Sequence, residues 1–255
     1  MDHSMDRATE TARRASSFGS QAAAYAEYRP NYPADLLAWA LEPASAASAD
    51  GLRVLDLGAG TGKLTEGLLA FDVEVVAVEP DTSMLAELTR RFPGVEARSG
   101  TAEVIPLPDA SVHAVFAGQA LHWFDLDRAL PEIGRVLLPG GFLVAAWNVY
   151  DDSVPWVAEF CRITEGIAYS ESNMSWENLE PLGPTEQATF LHSTRRTVDS
   201  LVNTVATQSN MLVSTPKQRA AALARTREFL LANPASADGE FDIPMISVGI
   251  RATPR

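Results

Sequence analysis

The residues with the clearest chemical meaning are three alternating glycines, Gly58, Gly60 and Gly62, in a chain of 255 residues. They directly follow an apolar run, residues 54–57, that contains a single acid, Asp56. Because glycine adopts positive φ and lets a ligand approach the backbone, three of them between a strand and a helix indicate a nucleotide-type site at the helix N-terminus. A tight turn without a ligand is the alternative, and the strand before and the helix after favour the ligand site.

Three other residues have side chains that could take part in chemistry. His122 follows a predicted strand and titrates near neutral pH, so it is the candidate catalytic residue, a general base, with packing as its alternative role. His113 lies inside that strand, and we expect it to be structural. The single Cys161 excludes an internal disulfide, and no second thiol or histidine cluster accompanies it at ligand spacing. The sequence therefore predicts no metal site.

Composition limits the class of protein. With 46% hydrophobic residues, the chain can bury one sizeable core, and one domain with appendages is the natural count. The formal net charge of -13 argues against binding a nucleic-acid backbone. No apolar run is long enough to span a bilayer, and residues 1–20 lack the apolar core of a signal peptide. We therefore expect a cytoplasmic protein with no nucleic-acid or membrane partner. The composition does not indicate how many subunits it has.

Hydrophobic periodicity places the glycines in an alternation of strands and helices. Strands are expected at residues 53–57, 73–78, 95–99, 111–117, 142–147, 190–198 and 241–252. Helices are expected at residues 63–70, 82–91, 125–137, 199–210 and 217–232. This order predicts an α/β fold, a Rossmann-like, doubly wound and mostly parallel seven-stranded sheet that binds ligands at the carboxyl ends of its strands. Pro244 predicts an edge or a start-of-strand position, because proline donates no backbone hydrogen bond.

The segments around this core differ in character. Residues 1–15 show no apolar periodicity and are predicted to be a disordered tail, and residues 16–255 a single domain. The expected parts of that domain are an N-terminal helical lid at 16–50, a cofactor-binding core at 51–148, an acceptor cap inserted after strand five at 149–187, and C-terminal strands and helices at 188–255.

The position of the third glycine separates two ligand classes. The dinucleotide fingerprint needs its last glycine where Lys63 stands, and Gly62 falls one position earlier, so the fit to NAD is poor. The run 54–62 instead resembles the first motif of class I S-adenosylmethionine-dependent methyltransferases. Glu79, at the end of the second strand, and the Leu-Pro-Gly-Gly run at 138–141 agree with that family.

A finer resemblance is to the small-molecule branch similar to ubiquinone/menaquinone-biosynthesis and trans-aconitate methyltransferases. Its pieces are Phe18-x-x-x-Ala22-x-x-Tyr25, Tyr28-Arg29-Pro30-x-Tyr32-Pro33 and the run from Gln119 to Phe124. The resemblance covers residues 18–148 well. It implies an enzyme that transfers a methyl group from S-adenosyl-L-methionine to a small-molecule acceptor, by O-, C- or carboxyl-methylation, and releases S-adenosyl-L-homocysteine.

The resemblance also implies which residues bind the cofactor. Asp56 and the glycines shape the methionine pocket, Arg29 meets the methionine carboxylate, and Glu79 binds ribose. This chain has Thr101 where the family usually has an acid, so adenine recognition falls to backbone amides or to Glu103. The implied cofactor-binding residues are Tyr25, Arg29, Tyr32, Asp56, Gly58, Ala59, Gly60, Gly62, Glu79, Pro80, Met84, Thr101, Ala102, Glu103 and Gln119.

Four tryptophans are candidate walls of the acceptor pocket: Trp123, Trp147, Trp156 and Trp176. Together they suggest an apolar or aromatic acceptor, and coverage of the sheet is the alternative for each. Methyl transfer from a sulfonium is an in-line displacement, so the enzyme mainly aligns the reacting atoms and excludes water. A base such as His122 is needed only for a poorly acidic acceptor.

Other functions share parts of this pattern. A non-catalytic S-adenosylmethionine-binding protein of the same fold stays open, and an NAD-dependent dehydrogenase is less favoured because of Lys63. A nucleic-acid methyltransferase is opposed by the acidic charge, and the Asn/Asp-Pro-Pro-aromatic signature of such enzymes is absent where residues 118–121 stand.

Overall fold

A computed structural model of the chain describes residues 21–47, 51–164 and 185–253. The expected tail at residues 1–15, Phe18 of the N-terminal motif and Trp176 of the expected cap fall outside these ranges. Strands β1 to β7 are Leu52–Leu57, Val73–Glu79, Glu96–Ser99, Val112–Gly118, Leu137–Tyr150, Thr185–Thr197 and Glu240–Ala252. Helices α1 to α9 are Ala22–Tyr28, Ala34–Ala47, Lys63–Leu68, Thr82–Arg91, Leu126–Val136, Pro155–Thr164, Val198–Ala206, Ser209–Val213 and Pro216–Ala232.

The seven strands form one sheet in the order β3-β2-β1-β4-β5-β7-β6. β1 pairs in parallel with β2 and with β4, and so do β2 with β3 and β4 with β5. The chain order reverses between β1 and β4, which is where doubly wound sheets open a crevice for ligands. The predicted α/β fold, Rossmann-like and mostly parallel with seven strands, is confirmed.

The expectation for Pro244 is wrong. β7 lies between β5 and β6, and it begins at Glu240, so Pro244 stands neither on an edge strand nor at the start of a strand. Its carbonyl accepts a hydrogen bond from the Asp151 N–H at 3.1 Å. The strand therefore keeps a backbone contact at this residue, although proline has no N–H to donate.

Contacts along the chain group into two compact units. Of the described residues, the glycine-loop unit contains 31–47, 51–148, 185–190 and 247–253, and the helical unit contains 21–30, 149–164 and 191–246. Strands β1 to β4 and helices α2 to α5 lie wholly in the glycine-loop unit, whereas α1 and α6 to α9 lie in the helical unit.

The core of the glycine-loop unit lies against β1 and β4. Val54 and Phe116 of these strands are fully buried together with Leu36 and Leu37 of α2. Parallel strands that are covered on both faces carry apolar residues along their whole length, which explains the uninterrupted apolar runs in the sequence. Helix α3 approaches α2 closely at Gly67, where a Cβ atom would stand 2.5 Å from Leu37 Cδ1. This close packing fixes α3, the helix that begins directly after the glycine loop.

The helical unit has a core of its own. Phe160 of α6, Leu201 of α7 and Leu230 of α9 are fully buried in it. Tyr150, at the end of β5, meets Phe160 edge to face, with ring centroids 5.1 Å apart. Among the described residues, no helix is both long and apolar enough to cross a membrane.

Candidate active site

The glycine loop connects β1 to α3, and its three glycines have different surroundings. Gly58, Gly60 and Gly62 all have positive φ, at 71°, 56° and 83°. A Cβ atom on Gly58 would stand 2.8 Å from Ala120 Cβ, and one on Gly62 would stand 2.8 Å from the Phe92 ring. On Gly60 it would meet no protein atom within 4 Å. The outer two glycines are therefore required by the packing of the protein itself, whereas Gly60 leaves its backbone open to a ligand.

Glu79, at the carboxyl end of β2, holds this loop from the side of the neighbouring strand. Its Oε2 accepts a hydrogen bond from the Gly60 N–H at 2.8 Å, and its Oε1 accepts one from the Asp81 N–H at 2.9 Å. Burial raises the pKa of this carboxyl group, and the two backbone donors act in the opposite direction. Each carboxylate oxygen can accept a second hydrogen bond, so Glu79 keeps the capacity that its predicted contact with ribose hydroxyls requires.

Asp56, near the end of β1, is buried completely. Its Oδ2 accepts a hydrogen bond from Thr65 Oγ1 at 2.6 Å, and burial raises its pKa to about 7. Within the described part of the chain, Asp56 Oδ1 and Thr61 Oγ1 are buried polar atoms without a hydrogen-bond partner. Such atoms are rare in native proteins, and two of them at one loop indicate that a polar ligand completes the site.

Gln119 follows the last residue of β4 and has a positive φ of 54°, which is unusual for a residue with a side chain. Its N–H donates to Ala146 O at 2.8 Å, and its Nε2 donates to Asn148 O at 2.6 Å. A strained backbone of this kind costs about 1–3 kcal/mol and persists only where its surroundings enforce it, typically at functional sites. The structure places Gln119 at the carboxyl end of β4, as expected for a residue that lines the cofactor.

Sequence reasoning missed Asn148, which organises the polar contacts around Gln119. The Asn148 side chain is buried; its Nδ2 donates to Asn31 O at 3.1 Å, and its Oδ1 accepts from Ser247 Oγ. Asn31 Oδ1 in turn accepts from Lys63 Nζ at 3.0 Å. A signal was available, because Asn148 is the first polar side chain after the apolar run of strand five.

Tyr32 is buried close to the end of β4. A Cβ atom on Gly118 would stand 2.7 Å from Tyr32 Oη, so the tyrosine lies directly against the strand's last residue. Only glycine leaves room for the tyrosine there. The structure thus brings Tyr32 to the same strand end as Gln119, and its contact with the cofactor stays a prediction.

Several predicted cofactor-binding residues lie after β2 and β3, and two of them, Ala102 and Glu103, are expected beside adenine. Ala102 and Met84 are buried, and Pro80 is exposed. Glu103 Oε1 accepts a hydrogen bond from the Asp125 N–H at 3.0 Å. Desolvation would raise the pKa of Glu103, but hydrogen bonds from backbone donors and from the Thr101 hydroxyl outweigh it and the pKa is lowered. Glu103 is therefore an ionised acceptor, and its contact with adenine stays a prediction.

His122 lies in a short 3-10 turn, Leu121–Trp123, directly after β4 and Gln119. Its ring is 4.6 Å from the Trp123 ring, centroid to centroid. Loss of hydration lowers the pKa of His122. Because the residue is exposed, water limits this shift, and the imidazole is neutral at pH 7. His113 Nδ1 accepts from the Arg53 N–H at 3.1 Å, which agrees with the expected structural role.

Three of the predicted site residues lie in the helical unit. Arg29 follows α1, donates from Nη2 to Thr207 O at 3.0 Å, and lies over the Tyr25 ring at 5.0 Å from its centroid. Trp156 packs almost perpendicular to Phe241, with centroids 6.1 Å apart, against the core of that unit. Their roles toward cofactor and acceptor stay predictions, as does that of Trp147, which is buried in β5 of the glycine-loop unit.

Known proteins resemble this chain over most of its length. Residues 55–145 match the family described as methyltransferase domain. An uncharacterized methyltransferase of Mycobacterium tuberculosis is 40% identical over 238 residues, which cover 93% of this chain and 95% of the relative. The chain belongs to the class I S-adenosylmethionine-dependent methyltransferases. This methyltransferase is also similar in structure to a putative type II methyltransferase from Anaeromyxobacter dehalogenans, with a TM-score of 0.65, 27% identity, and coverage of 89% of this chain and 100% of that one.

One further relative is similar to a smaller part of this chain. The malonyl-[acyl-carrier protein] O-methyltransferase of Methylococcus capsulatus is 42% identical over 97 residues, or 36% of this methyltransferase and 35% of the relative.

S-adenosylmethionine is the methyl donor of this enzyme, and the described residues fit it. Gly60 leaves an open backbone, Asp56 Oδ1 and Thr61 Oγ1 need polar partners, and Glu79 retains acceptor capacity. When bound, the cofactor supplies a methyl group on a positively charged sulfur. The protein's part is to bind and orient that group and to exclude water from it.

Proposed function

We propose that this methyltransferase modifies a small-molecule acceptor by O-, C- or carboxyl-methylation. The observation that carries the proposal is the formal net charge of -13, because a strongly acidic protein repels the phosphate backbone of a nucleic-acid substrate. The partial similarity to a malonyl-[acyl-carrier protein] O-methyltransferase supports an oxygen acceptor, although it spans only about a third of either chain.

The chemistry of His122 narrows the acceptor further. The His122 imidazole has a lowered pKa, so it gives little help in removing a proton from an ordinary alcohol. A carboxylate needs no such help, because it is already ionised near neutral pH, and a sufficiently acidic carbon needs little. The acceptor that suits this site is therefore one that ionises readily by itself.

The test measures which class of molecule receives the methyl group. Purified enzyme is incubated with S-adenosylmethionine labelled in its methyl group and with a cell extract, which is then separated into small molecules, nucleic acid and protein. We expect label in the small-molecule fraction, as species heavier by one methylene group in mass spectrometry. Label confined to nucleic acid or to protein would contradict the proposal. The control is the variant Gly60→Val, in which a side chain fills the open backbone position of the loop.

Ligand titration checks the cofactor independently of the acceptor. In calorimetry we expect binding of S-adenosylhomocysteine and none of NAD or NADP, because Gly62 stands one position too early for a pyrophosphate. Binding of NAD alone would contradict the fit of this loop to S-adenosylmethionine.

A further inference from the structure

The Asn148 side chain is buried in the glycine-loop unit and makes hydrogen bonds in two directions. Its Nδ2 donates to the backbone oxygen of Asn31 at 3.1 Å. A backbone oxygen can only accept, so this bond fixes which end of the amide is the nitrogen. The other end, Oδ1, accepts from Ser247 Oγ, on the strand beside β5. Ser247 is fully buried, so Asn148 is fixed to the sheet on one side and holds the segment before α2 on the other.

The backbone oxygen of Asn148 makes a further contact, with Gln119. It accepts a hydrogen bond from Gln119 Nε2 at 2.6 Å, and the Gln119 N–H donates to Ala146 O at 2.8 Å. Gln119 is thereby bonded to β5 through both its backbone and its side chain. Its φ of 54° is costly for a residue with a side chain, and it persists only where such contacts enforce it.

The oxygen that Asn148 Nδ2 holds belongs to the peptide bond between Asn31 and Tyr32. Tyr32 is buried, and it lies against the end of β4, where a Cβ atom on Gly118 would stand 2.7 Å from its Oη. The Asn31 side chain is held as well, because its Oδ1 accepts from Lys63 Nζ at 3.0 Å, directly after the glycine loop. Through its side chain and its backbone, Asn148 therefore connects the residues on both sides of this strand end.

We propose that Asn148 is a positioning residue for the cofactor site, which holds Tyr32 and Gln119 at the end of β4 before the cofactor binds. A segment that is already in place needs no ordering when the ligand arrives. If it instead moves among several positions, the apparent affinity falls with the fraction of molecules in the position that can bind. The resemblance implies contacts of Tyr32 and Gln119 with the cofactor, whereas the role of Asn148 comes from the structure. This role is independent of which acceptor the enzyme methylates.

The experiment measures S-adenosylhomocysteine binding by calorimetry at about pH 5.5 and about pH 8 in the wild type, Asn148→Asp and Asn148→Ala. The ionised form of Asn148→Asp keeps the shape of the side chain but cannot donate to Asn31 O, whereas its protonated form can. Burial raises the pKa of a carboxyl group, so the lower pH favours the protonated form. Comparison with the wild type at each pH removes the contribution of other titrating groups.

His113→Phe is the matched control for a general loss of stability. It removes the acceptor of the Arg53 N–H in the same unit, near the start of β4 and so at the opposite end of that strand from Gln119. Urea denaturation measures the stability of every variant and shows whether it is folded under the conditions of the binding assay. We expect His113→Phe to be less stable than the wild type and to keep its affinity at both pH values.

At about pH 8, Asn148→Asp and Asn148→Ala should bind S-adenosylhomocysteine about tenfold more weakly than the wild type. At about pH 5.5, Asn148→Asp should regain most of this affinity and Asn148→Ala should not, since only the former recovers a donor. If Asn148→Ala does not fold, the two measurements on Asn148→Asp decide by themselves. Wild-type affinity of Asn148→Asp at about pH 8, an unchanged deficit at about pH 5.5, or an equal loss of affinity in His113→Phe would overturn the proposal.

Discussion

Raising the pH from about 5 to about 8 should cost this enzyme folding stability through Asp56. The carboxyl group is completely buried and one of its oxygens has no partner among the described residues, so its charged form is poorly solvated in the folded protein. Burial raises its pKa from 3.8 to about 7. A group whose pKa is higher in the folded state contributes most stability below its unfolded value, and loses that contribution as the pH rises through the folded value.

The size of the effect follows from the two pKa values. The full difference between 3.8 and about 7 corresponds to ~4 kcal/mol of stability lost at high pH, by the linkage relation. At about pH 5 the unfolded carboxyl is already ionised and a part of this loss has occurred, so the loss between about pH 5 and about pH 8 is ~3 kcal/mol. A neutral asparagine at this position escapes it, and its side-chain oxygen can still accept the hydrogen bond from Thr65.

The assay is urea denaturation of the wild type and of Asp56→Asn at both pH values. Taking the difference between the two proteins removes the contribution of other titrating groups, such as Glu79. We expect the wild type to lose ~3 kcal/mol relative to Asp56→Asn on going to the higher pH. Asp72→Asn, at an exposed position, is the control and should show no such change. A relative change below ~1 kcal/mol, or one of opposite sign, would refute the reasoning from desolvation.

Further predictions concern the loop and His122. Gly60→Val should abolish S-adenosylhomocysteine binding in calorimetry while far-UV circular dichroism keeps its helix signal, because the new side chain meets ligand space rather than protein; retained affinity would refute the site. Gly58→Val should in addition lower the melting temperature, since its Cβ would stand 2.8 Å from another side chain, and an unchanged value would speak against that packing. Glu79→Gln should lower the unfolding free energy by ~1–3 kcal/mol in urea, because one of two backbone N–H groups loses its acceptor; no loss would contradict those contacts. His122→Gln should keep kcat within about tenfold, and the wild-type pH profile should show no inflection from His122 near neutral pH, because its pKa is lowered; a loss of about 10²–10⁴ would identify a general base instead.

Local patterns in the sequence determined the fold class and most of its elements. Helix Thr82–Arg91 has the predicted bounds, and the strands around the glycine loop begin and end within a few residues of expectation, because hydrophobic period is a property of short segments. β6 shows the limit of this signal. It begins at Thr185, earlier than expected, because the first half of this exposed edge strand has no apolar alternation to reveal it.

The tertiary structure decided which glycines of the loop pack against protein and which one leaves room for a ligand. All three glycines look alike in the sequence, and each has positive φ. Only the folded chain brings Ala120 against Gly58 and Phe92 against Gly62 and leaves Gly60 open. The spacing of the glycines could therefore indicate a ligand but not which of them the ligand approaches.

Within each unit, residues far apart in the chain form the polar contacts that local patterns do not reveal. Asn148 bonds to the backbone of Asn31, and Arg196 bonds to the carbonyl of Tyr28, over separations of 117 and 168 residues. Contacts of this kind have no local signature, because they exist only once the strands and helices have packed. The sequence by itself determined the type of loop, its cofactor and the order of the elements, whose causes are local backbone requirements. Only the tertiary structure decided which buried side chains are left without partners, and so where a ligand is needed.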